Sequence, residues 1–260
     1  MDEFQLLVDL HRDNDRQGPG GDEQTRRAIE LSGLASRRGL KIADIGCGTG
    51  ASTLVLARSL DAHITAVDFL PEFLERLDAA ARETGLSDRI TTLAQSMDAL
   101  DFADDELDAI WAEGAIYSIG FEAGVRAWRR FLKPGGVLAV SEITWLTANP
   151  PAELREHWQG EYAEIAPASD KIACLEREGF TPVGYFPLPE HCWLDNYYRP
   201  LQARFAAFLE AHGHSPGAQA IVEDEKAEIA LYERFSAFIS YGFYIARKSE
   251  EWHLPQRALA

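Results

Sequence analysis

Residues 40–50 read Leu-Lys-Ile-Ala-Asp-Ile-Gly-Cys-Gly-Thr-Gly, and no other stretch constrains the fold as much. The apolar run of Leu40, Ile42, Ala43 and Ile45 suits a buried parallel strand. Three glycines at alternate positions end it, and the alanine- and leucine-rich residues 51–60 that follow read as a helix. A strand that turns sharply into a helix aims free backbone N–H groups, and the positive end of the helix dipole, at whatever lies above the strand tip. Glycines there permit positive φ and let a ligand lie against the main chain. Such a turn binds a nucleotide-like ligand.

The same alternation continues along the chain. Residues 62–67 form a second strand ending at Asp68, and Pro71 opens a helix carrying Phe73, Leu74 and Leu77 that stops at Gly85. Residues 90–94 and 107–112 are the third and fourth strands, the latter followed by Glu113-Gly114. A helix over 121–132 ends in Lys133-Pro-Gly-Gly136, a turn signal, and a fifth strand follows at 137–143. This rhythm predicts an α/β, doubly wound, mostly parallel sheet with ligands at the carboxyl ends of its strands. Beyond Trp145 the pattern changes: helices over 150–166 and 169–178, a strand over 180–186 that Pro182 demotes to an edge, helices over 196–211 and 215–236, and a last strand at 241–246. These bring the sheet to seven strands. Ahead of the glycine motif, Phe4, Leu6, Leu7 and Leu10 form a short amphipathic pattern. A polar, glycine-rich loop or cover runs from 12 to 21, and a helix over 22–34 has Asp22 as its N-cap.

Charge removes several function classes. The formal net charge is −17, with 42 acidic against 25 basic side chains, and no basic run is longer than Arg129-Arg130. Such a surface repels phosphate backbones, so no nucleic-acid partner is expected. The six carboxylates of residues 98–108 read as a solvated turn. Cys47, Cys174 and Cys192 show no CxxC spacing, which predicts free thiols in a reducing cytoplasm and no metal. The first residues lack a basic segment followed by an apolar core, so no signal peptide is expected, and no apolar run approaches the ~20 residues of a membrane span.

The glycine spacing narrows the ligand. Gly46, Gly48 and Gly50 give G-x-G-x-G rather than the dinucleotide G-x-G-x-x-G, and the absence of lysine from residues 49–52 excludes a P-loop. With Asp44 inside the strand, the motif Asp44-Ile-Gly-Cys-Gly-Thr-Gly50 resembles that of the class I S-adenosylmethionine-dependent methyltransferases. The resemblance extends over 40–143. It takes in Asp68, 22 positions after Gly46, then residues 107–114 and the turn at 132–138. It implies a Rossmann-like methyltransferase fold with helical insertions forming a lid, S-adenosylmethionine as cofactor and S-adenosylhomocysteine as product. On this reading residues 1–250 are one methyltransferase domain. Its cofactor half spans about 22–143, its acceptor-side insertions about 145–178 and 190–238, and residues 251–260 form a tail. The insertions resemble those of small-molecule methyltransferases, including the ubiquinone/menaquinone-biosynthesis type.

The resemblance also implies roles. Gly46, Cys47, Gly48 and Gly50 would face the methionine part of the cofactor, with Asp44 acting through water or the ligand ammonium. Asp68 would accept hydrogen bonds from both ribose hydroxyls, and Phe69 would lie against adenine. Relatives carry Gly-Asp-Ala near the third strand; here Ser96 stands where that aspartate is expected, so Asp98 and the Met97 amide would meet the adenine edge. Arg16 would grip the cofactor carboxylate, unless its loop is plain surface. Glu113 lies where the methionine end meets the acceptor.

Methyl transfer from a sulfonium needs mainly in-line positioning and exclusion of water. Glu113, Tyr117 and His157 are the catalytic candidates, with His191 a second candidate base. The acceptor pocket is expected from Tyr117, Glu142, Trp145, His157, Trp158, Tyr162 and Tyr197, with Trp193 and Tyr198 nearby. Carboxylates among aromatics could hold a cationic amine, or those aromatics could simply be packing. The expected partner is a small-molecule acceptor; the acceptor atom, and monomer or homodimer, stay open. Two other readings are a non-catalytic S-adenosylmethionine/S-adenosylhomocysteine-binding module and an NAD-dependent oxidoreductase.

Overall fold

The computed structural model describes residues 3–250, so the expected 251–260 tail lies outside the described residues. The elements in order are α1 (Glu3–His11), α2 (Asp22–Ser32), β1 (Leu40–Ile45), α3 (Ala51–Ser59), β2 (Ala62–Asp68), α4 (Pro71–Glu83), β3 (Ile90–Ala94), β4 (Leu107–Glu113) and α5 (Phe121–Trp128). Then come β5 (Leu132–Trp145), α6 (Ala152–Glu161), β6 (Ala166–Pro167), α7 (Ala168–Arg177), β7 (Phe180–Pro187), α8 (His191–Trp193), a π turn (Leu194–Tyr198), α9 (Arg199–Ala211), α10 (Pro216–Phe235) and β8 (Ile239–Lys248).

Seven strands form one sheet in the order β3-β2-β1-β4-β5-β8-β7, and the two-residue β6 pairs with β5 off this path. All pairings are parallel except those of β8, which runs antiparallel to β5 and β7. Helices cover both faces. Ile29 of α2, Leu56 of α3 and Leu77 of α4 fill one side, while Phe121 and Trp128 of α5 and Leu175 of α7 fill the other. That double cover is why β4 is buried from Leu107 to Ala112 without alternation. A third core forms the cap over the carboxyl ends of the strands. There Leu6 and Leu10 of α1, Leu154 of α6, Phe205 of α9 and Ile229 of α10 meet Ile143 and Trp145 of β5.

Several expected boundaries move for identifiable reasons. Asp22 is the first helical residue rather than the cap of α2; Gly21 precedes it in extended conformation and supplies no side-chain bond. The helix expected over 121–132 stops at Trp128, because Leu132 already pairs with Leu107 as part of β5. Residues 133–136 do not separate two elements. The register passes from Leu107↔Leu132 to Ala109↔Val137, so they bulge out of a continuous strand, with Gly135 at φ +71°. The helix expected from 196 begins at His191 and runs through the π turn into α9. Pro182 sits on outermost β7, at a register shift between Pro182 and Gly184, where its missing N–H costs no ladder bond.

Where β5 meets α7, Lys171 Nζ lies 3.1 Å from Glu142 Oε1, with both residues buried. Lys171 also stands over the rings of Phe121 (4.5 Å) and Tyr162 (5.2 Å). Burial pushes the Glu142 carboxyl above its ordinary pKa, against the pull of Lys171. Removing one partner strands the other charge in apolar surroundings. Lys171→Met should therefore cost about 3–5 kcal/mol in urea unfolding, and Lys171→Met with Glu142→Leu distinctly less.

Candidate active site

The glycine turn is held to the tip of β2 by main-chain and side-chain bonds. The N–H groups of Gly46 and Cys47 both donate to Val67 O, at 2.8 and 3.0 Å. Asp68 Oδ2 accepts from Gly48 N at 2.8 Å and its Oδ1 from Leu70 N at 2.9 Å. Burial raises the Asp68 pKa, and these amides pull it back. Two of the glycines form a cradle that a side chain would fill. A Cβ on Gly46 (φ +71°) would lie 2.3 Å from Ala115 Cβ, and one on Gly48 (φ +55°) 2.8 Å from Gln17 Cγ.

Behind the turn, Asp44 is wholly buried. Its Oδ2 accepts from Ser52 Oγ (2.8 Å) and Thr53 Oγ1 (2.6 Å) in the first turn of α3, while Oδ1 has no hydrogen-bond partner. Burial is the main cause that pushes its pKa up to about 7, helped by the charges of Glu113 and Asp68 and opposed by the two hydroxyls.

Residues 12–21 form a strap across this turn. The Thr49 hydroxyl lies 3.1 Å from the carbonyl oxygens of both Asn14 and Asp15 and accepts from Gln17 Nε2 at 3.0 Å. Asp13 pairs with Arg76 of α4 (2.9 Å) and Arg204 of α9 (3.1 Å), and Asn196 Nδ2 donates to Gly20 O at 2.7 Å. Arg16 Nη1 lies 3.6 Å from Glu113 Oε2, and its Nη2 2.9 Å from Asp22 Oδ1. Glu113 Oε1 in turn accepts from Trp111 Nε1 (2.9 Å) and Thr25 Oγ1 (2.7 Å).

Under the strap lies a recess of about 70 Å³ walled by Arg16, Gln17, Gly46, Cys47, Gly48 and Glu113. It adjoins a cavity of about 670 Å³ through the shared residues Gln17, Gly46, Gly48 and Gly114. Helix α1 runs along that cavity. At one end Phe4 meets Phe69 edge-on with ring centroids 6.4 Å apart. At the other His11 stacks on Tyr197 at 6.2 Å.

Of the residues singled out in the sequence, Gly46, Gly48, Asp68, Phe69, Ser96, Met97, Asp98, Tyr117 and Tyr197 line the cavity. Phe69 is 64% and Tyr117 46% exposed, so both present their rings to open space. Ser96 Oγ donates to Asp98 Oδ1 at 2.5 Å, and Met97 O accepts from Trp128 Nε1 at 3.0 Å. Arg16, Cys47 and Glu113 line the recess instead. Asp44 and Gly50 line neither: Gly50 (φ +90°) is glycine because a Cβ would sit 2.2 Å from Leu77 Cδ1 of α4.

The proposed acceptor wall changes most. Glu142, Trp145, His157, Trp158 and Tyr162 are absent from both linings. Glu142 is neutralised by Lys171. Trp145 is core, with Trp158 and Tyr162 packed against it. His157 packs edge-on against Trp158, with ring centroids 5.4 Å apart. The cavity wall includes His11, Leu7 and Val8, which sequence reasoning did not single out as site residues. The amphipathic pattern of Phe4, Leu6, Leu7 and Leu10 marks this segment, but only the fold makes it helix α1 and lays it along the cavity. Among the described residues, no cluster of His, Cys, Asp or Glu could hold a metal ion.

Residues 42–136 match the family model described as a methyltransferase domain. Over those residues the chain is similar to methyltransferase domains. The chain is 34% identical over 125 residues to methyltransferase GfsG of Streptomyces halstedii, covering 47% of this chain and 44% of that protein. It is 28% identical over 267 residues to 27-O-demethylrifamycin SV methyltransferase of Amycolatopsis mediterranei, covering 94% and 93%. The chain spans less than half the length of the first curated relatives it matches: 44%, 30% and 33%. Among solved structures, an S-adenosylmethionine-dependent methyltransferase from Geobacter sulfurreducens in complex with S-adenosyl-L-homocysteine superposes with a TM-score of 0.79 at 19% identity, covering 94% of this chain and 96% of that one. That likeness shows a shared fold, the Rossmann-like sheet of class I methyltransferases.

The buried Asp44 gives the protein a measurable pH signature. Its carboxyl ionises near 3.8 when free but near 7 in the fold, so the folded chain binds the extra proton. The stability this contributes is complete below pH ~4 and is lost as pH rises toward 7. Asp44→Asn should flatten that decline, read as a smaller change in urea midpoint between pH 4 and pH 7 than in the wild type.

Proposed function

We propose that this protein transfers the methyl group of S-adenosylmethionine to a small-molecule acceptor. The observation that carries the reading is Asp68, clamped by the amides of Gly48 and Leu70 in the wall of a cavity that the glycine turn borders. The methyltransferase-domain match over residues 42–136 and the S-adenosylhomocysteine named for the Geobacter sulfurreducens structure support the same cofactor.

The residues present fit that group. The Gly46–Gly48 turn has no room for a Cβ beside Ala115 and Gln17, and both glycines line the recess and the cavity. A cavity of about 670 Å³ falls within the roughly 300–1,000 Å³ of small-molecule sites. Asp68 keeps carboxylate lone pairs beyond those its two amides use, enough to hold ribose hydroxyls. Phe69 offers an exposed ring for adenine, and Ser96, Met97 and Asp98 line the wall at its edge. Arg16 and Glu113, in the recess under the strap, take the charged methionine end. The cofactor supplies an activated methyl on a sulfonium. What the chain contributes is orientation, and a cover of residues 12–21 that keeps water from the strand tips.

Residues 22–143, with Arg16 from the strap, hold the cofactor on this reading, and the cap from 145–178 and 190–238 closes with α1 over the acceptor. Tyr117 and Tyr197 are the acceptor-side residues this arrangement supports. The three buried, unpaired thiols suit a reducing cytoplasm, and no helix among the described residues is long and apolar enough to cross a membrane.

Calorimetry with S-adenosylmethionine and S-adenosylhomocysteine, followed by tritiated-methyl transfer into extract small molecules, tests the function. Binding without labelled product would favour a non-catalytic cofactor-binding module, and binding of NAD alone an oxidoreductase. Asp68→Ala should weaken S-adenosylhomocysteine binding by more than about 1 kcal/mol, roughly fivefold or more in Kd, since charge-assisted bonds are lost. An unchanged Kd in a folded variant would sink the ribose assignment.

A further inference from the structure

The wall of the large cavity changes character from one end to the other. Its two carboxylates both stand at the cofactor end: Asp68 is bonded to the Gly48 and Leu70 amides, and Asp98 to the Ser96 hydroxyl. The far end is built from Leu7 and Val8 of α1, Ala115, Tyr117 and Ile119 after β4, and Tyr197 of the π turn. Tyr117 is exposed there, so its ring is open to whatever fills that end. Among the described residues, no lysine or arginine lines the cavity.

The charges behind this wall already have partners. Lys171 Nζ is 3.1 Å from Glu142 Oε1, and His11 Nε2 is 3.4 Å from Glu225 Oε1. Tyr198 donates to Glu228 Oε1 at 2.8 Å, and burial holds that carboxyl above its ordinary pKa. Arg204 of α9 is taken by Asp13 at 3.1 Å and by Leu10 O at 2.9 Å. Burial, with the charges of Glu225 and Glu228, pushes the Tyr197 phenol up; burial, Glu228 and Glu142 do the same to Tyr117. Both phenols therefore stay neutral. Among the described residues, this end of the cavity offers a ligand no free counter-charge of either sign.

We propose that the acceptor is an uncharged, largely apolar molecule that lays an apolar face on Leu7 and Val8 of α1; this rests on the methyltransferase reading above and names the substrate class of that same site. Moving an ion from water into such a wall is unfavourable unless a partner waits for it there. A phosphate or carboxylate would find no cation. An ammonium would find no free carboxylate and would meet the like charge of the cofactor's sulfonium. An aromatic or aliphatic skeleton gains from the same surroundings, because it releases water from Leu7, Val8, Ala115 and Ile119. The wall thus discriminates by withholding a partner from charged molecules rather than by clashing with them. The carboxylates and aromatics beyond Trp145 do not form the box for a cationic amine that their composition allowed.

Probes of one shape isolate the charge: a naphthol, the matching naphthoate and the matching naphthylmethylammonium, titrated by calorimetry into the full chain loaded with S-adenosylhomocysteine. The naphthol should bind at least about tenfold more tightly than either ion, a modest share of what an unpaired buried charge costs. Ser118, exposed in the same wall beside Tyr117, gives the converse test at a position that carries no core packing. Ser118→Arg should tighten the naphthoate by about tenfold or more, as a charge-assisted bond would, and leave the naphthol within about threefold, the scale of a surface substitution. Tritiated S-adenosylmethionine incubated with extract small molecules should put label into products that pass both an anion and a cation exchanger. No S-adenosylhomocysteine binding by the wild type, or binding with no label in any fraction, would overturn the methyltransferase reading itself. With binding and label both present, either ion binding as tightly as the naphthol, no binding of the naphthol, a naphthoate affinity indifferent to Ser118→Arg, or label retained on an exchanger would overturn this proposal alone.

Discussion

Everything above the strand tips depends on how the loop after β1 is tied to the end of β2. Gly46, Cys47 and Gly48 donate in succession to Val67 O and the Asp68 carboxylate. Those bonds fix the direction in which α3 leaves the sheet and set Gly46 and Gly48 in the cavity lining. The first two use main chain that any sequence possesses; the third needs a carboxylate at the tip of the neighbouring strand. Asp68 therefore serves the fold before it serves a ligand. Burial raises its pKa while the Gly48 and Leu70 amides oppose that rise, so the same bonds that shape the turn favour the charged form against burial.

This arrangement was legible in the sequence because its parts are local and ordered. Strand, glycine turn and helix are contiguous, and Asp68 lies one strand away in a pattern with a single sensible register. Orientation was harder to read. Gly50 belongs to the same motif as Gly46, yet it is glycine for Leu77 of α4, a contact that spacing does not announce. Asp44 looks like a ligand-facing carboxylate in the string of residues, but it faces the hydroxyls of Ser52 and Thr53.

The acceptor side was legible only in part, for a different reason. Residues beyond Trp145 were read as its wall because they are aromatic and acidic. Several of those aromatics fill the cap's own core, and Glu142 is matched by Lys171, a lysine that a helical pattern would assign to solvent. Tyr197 does reach the cavity, from a π turn that no propensity marks. The wall is completed by α1, from the far end of the chain. Burial and long-range return decide these positions, and neither is written in a window of adjacent residues.

The strap of residues 12–21 is fastened at separate points to Thr49 at the head of α3, to Arg76 on α4, to Arg204 on α9 and to Asn196 on the π turn. Each fastening is polar, and several lie near solvent, so no single one is strong. Their anchors nevertheless belong to different elements, and the strap lifts only when several let go together. A molecule seated beneath it is retained by the rarity of that joint release. The strap thus acts less on how tightly a ligand is held at equilibrium than on how long each visit lasts.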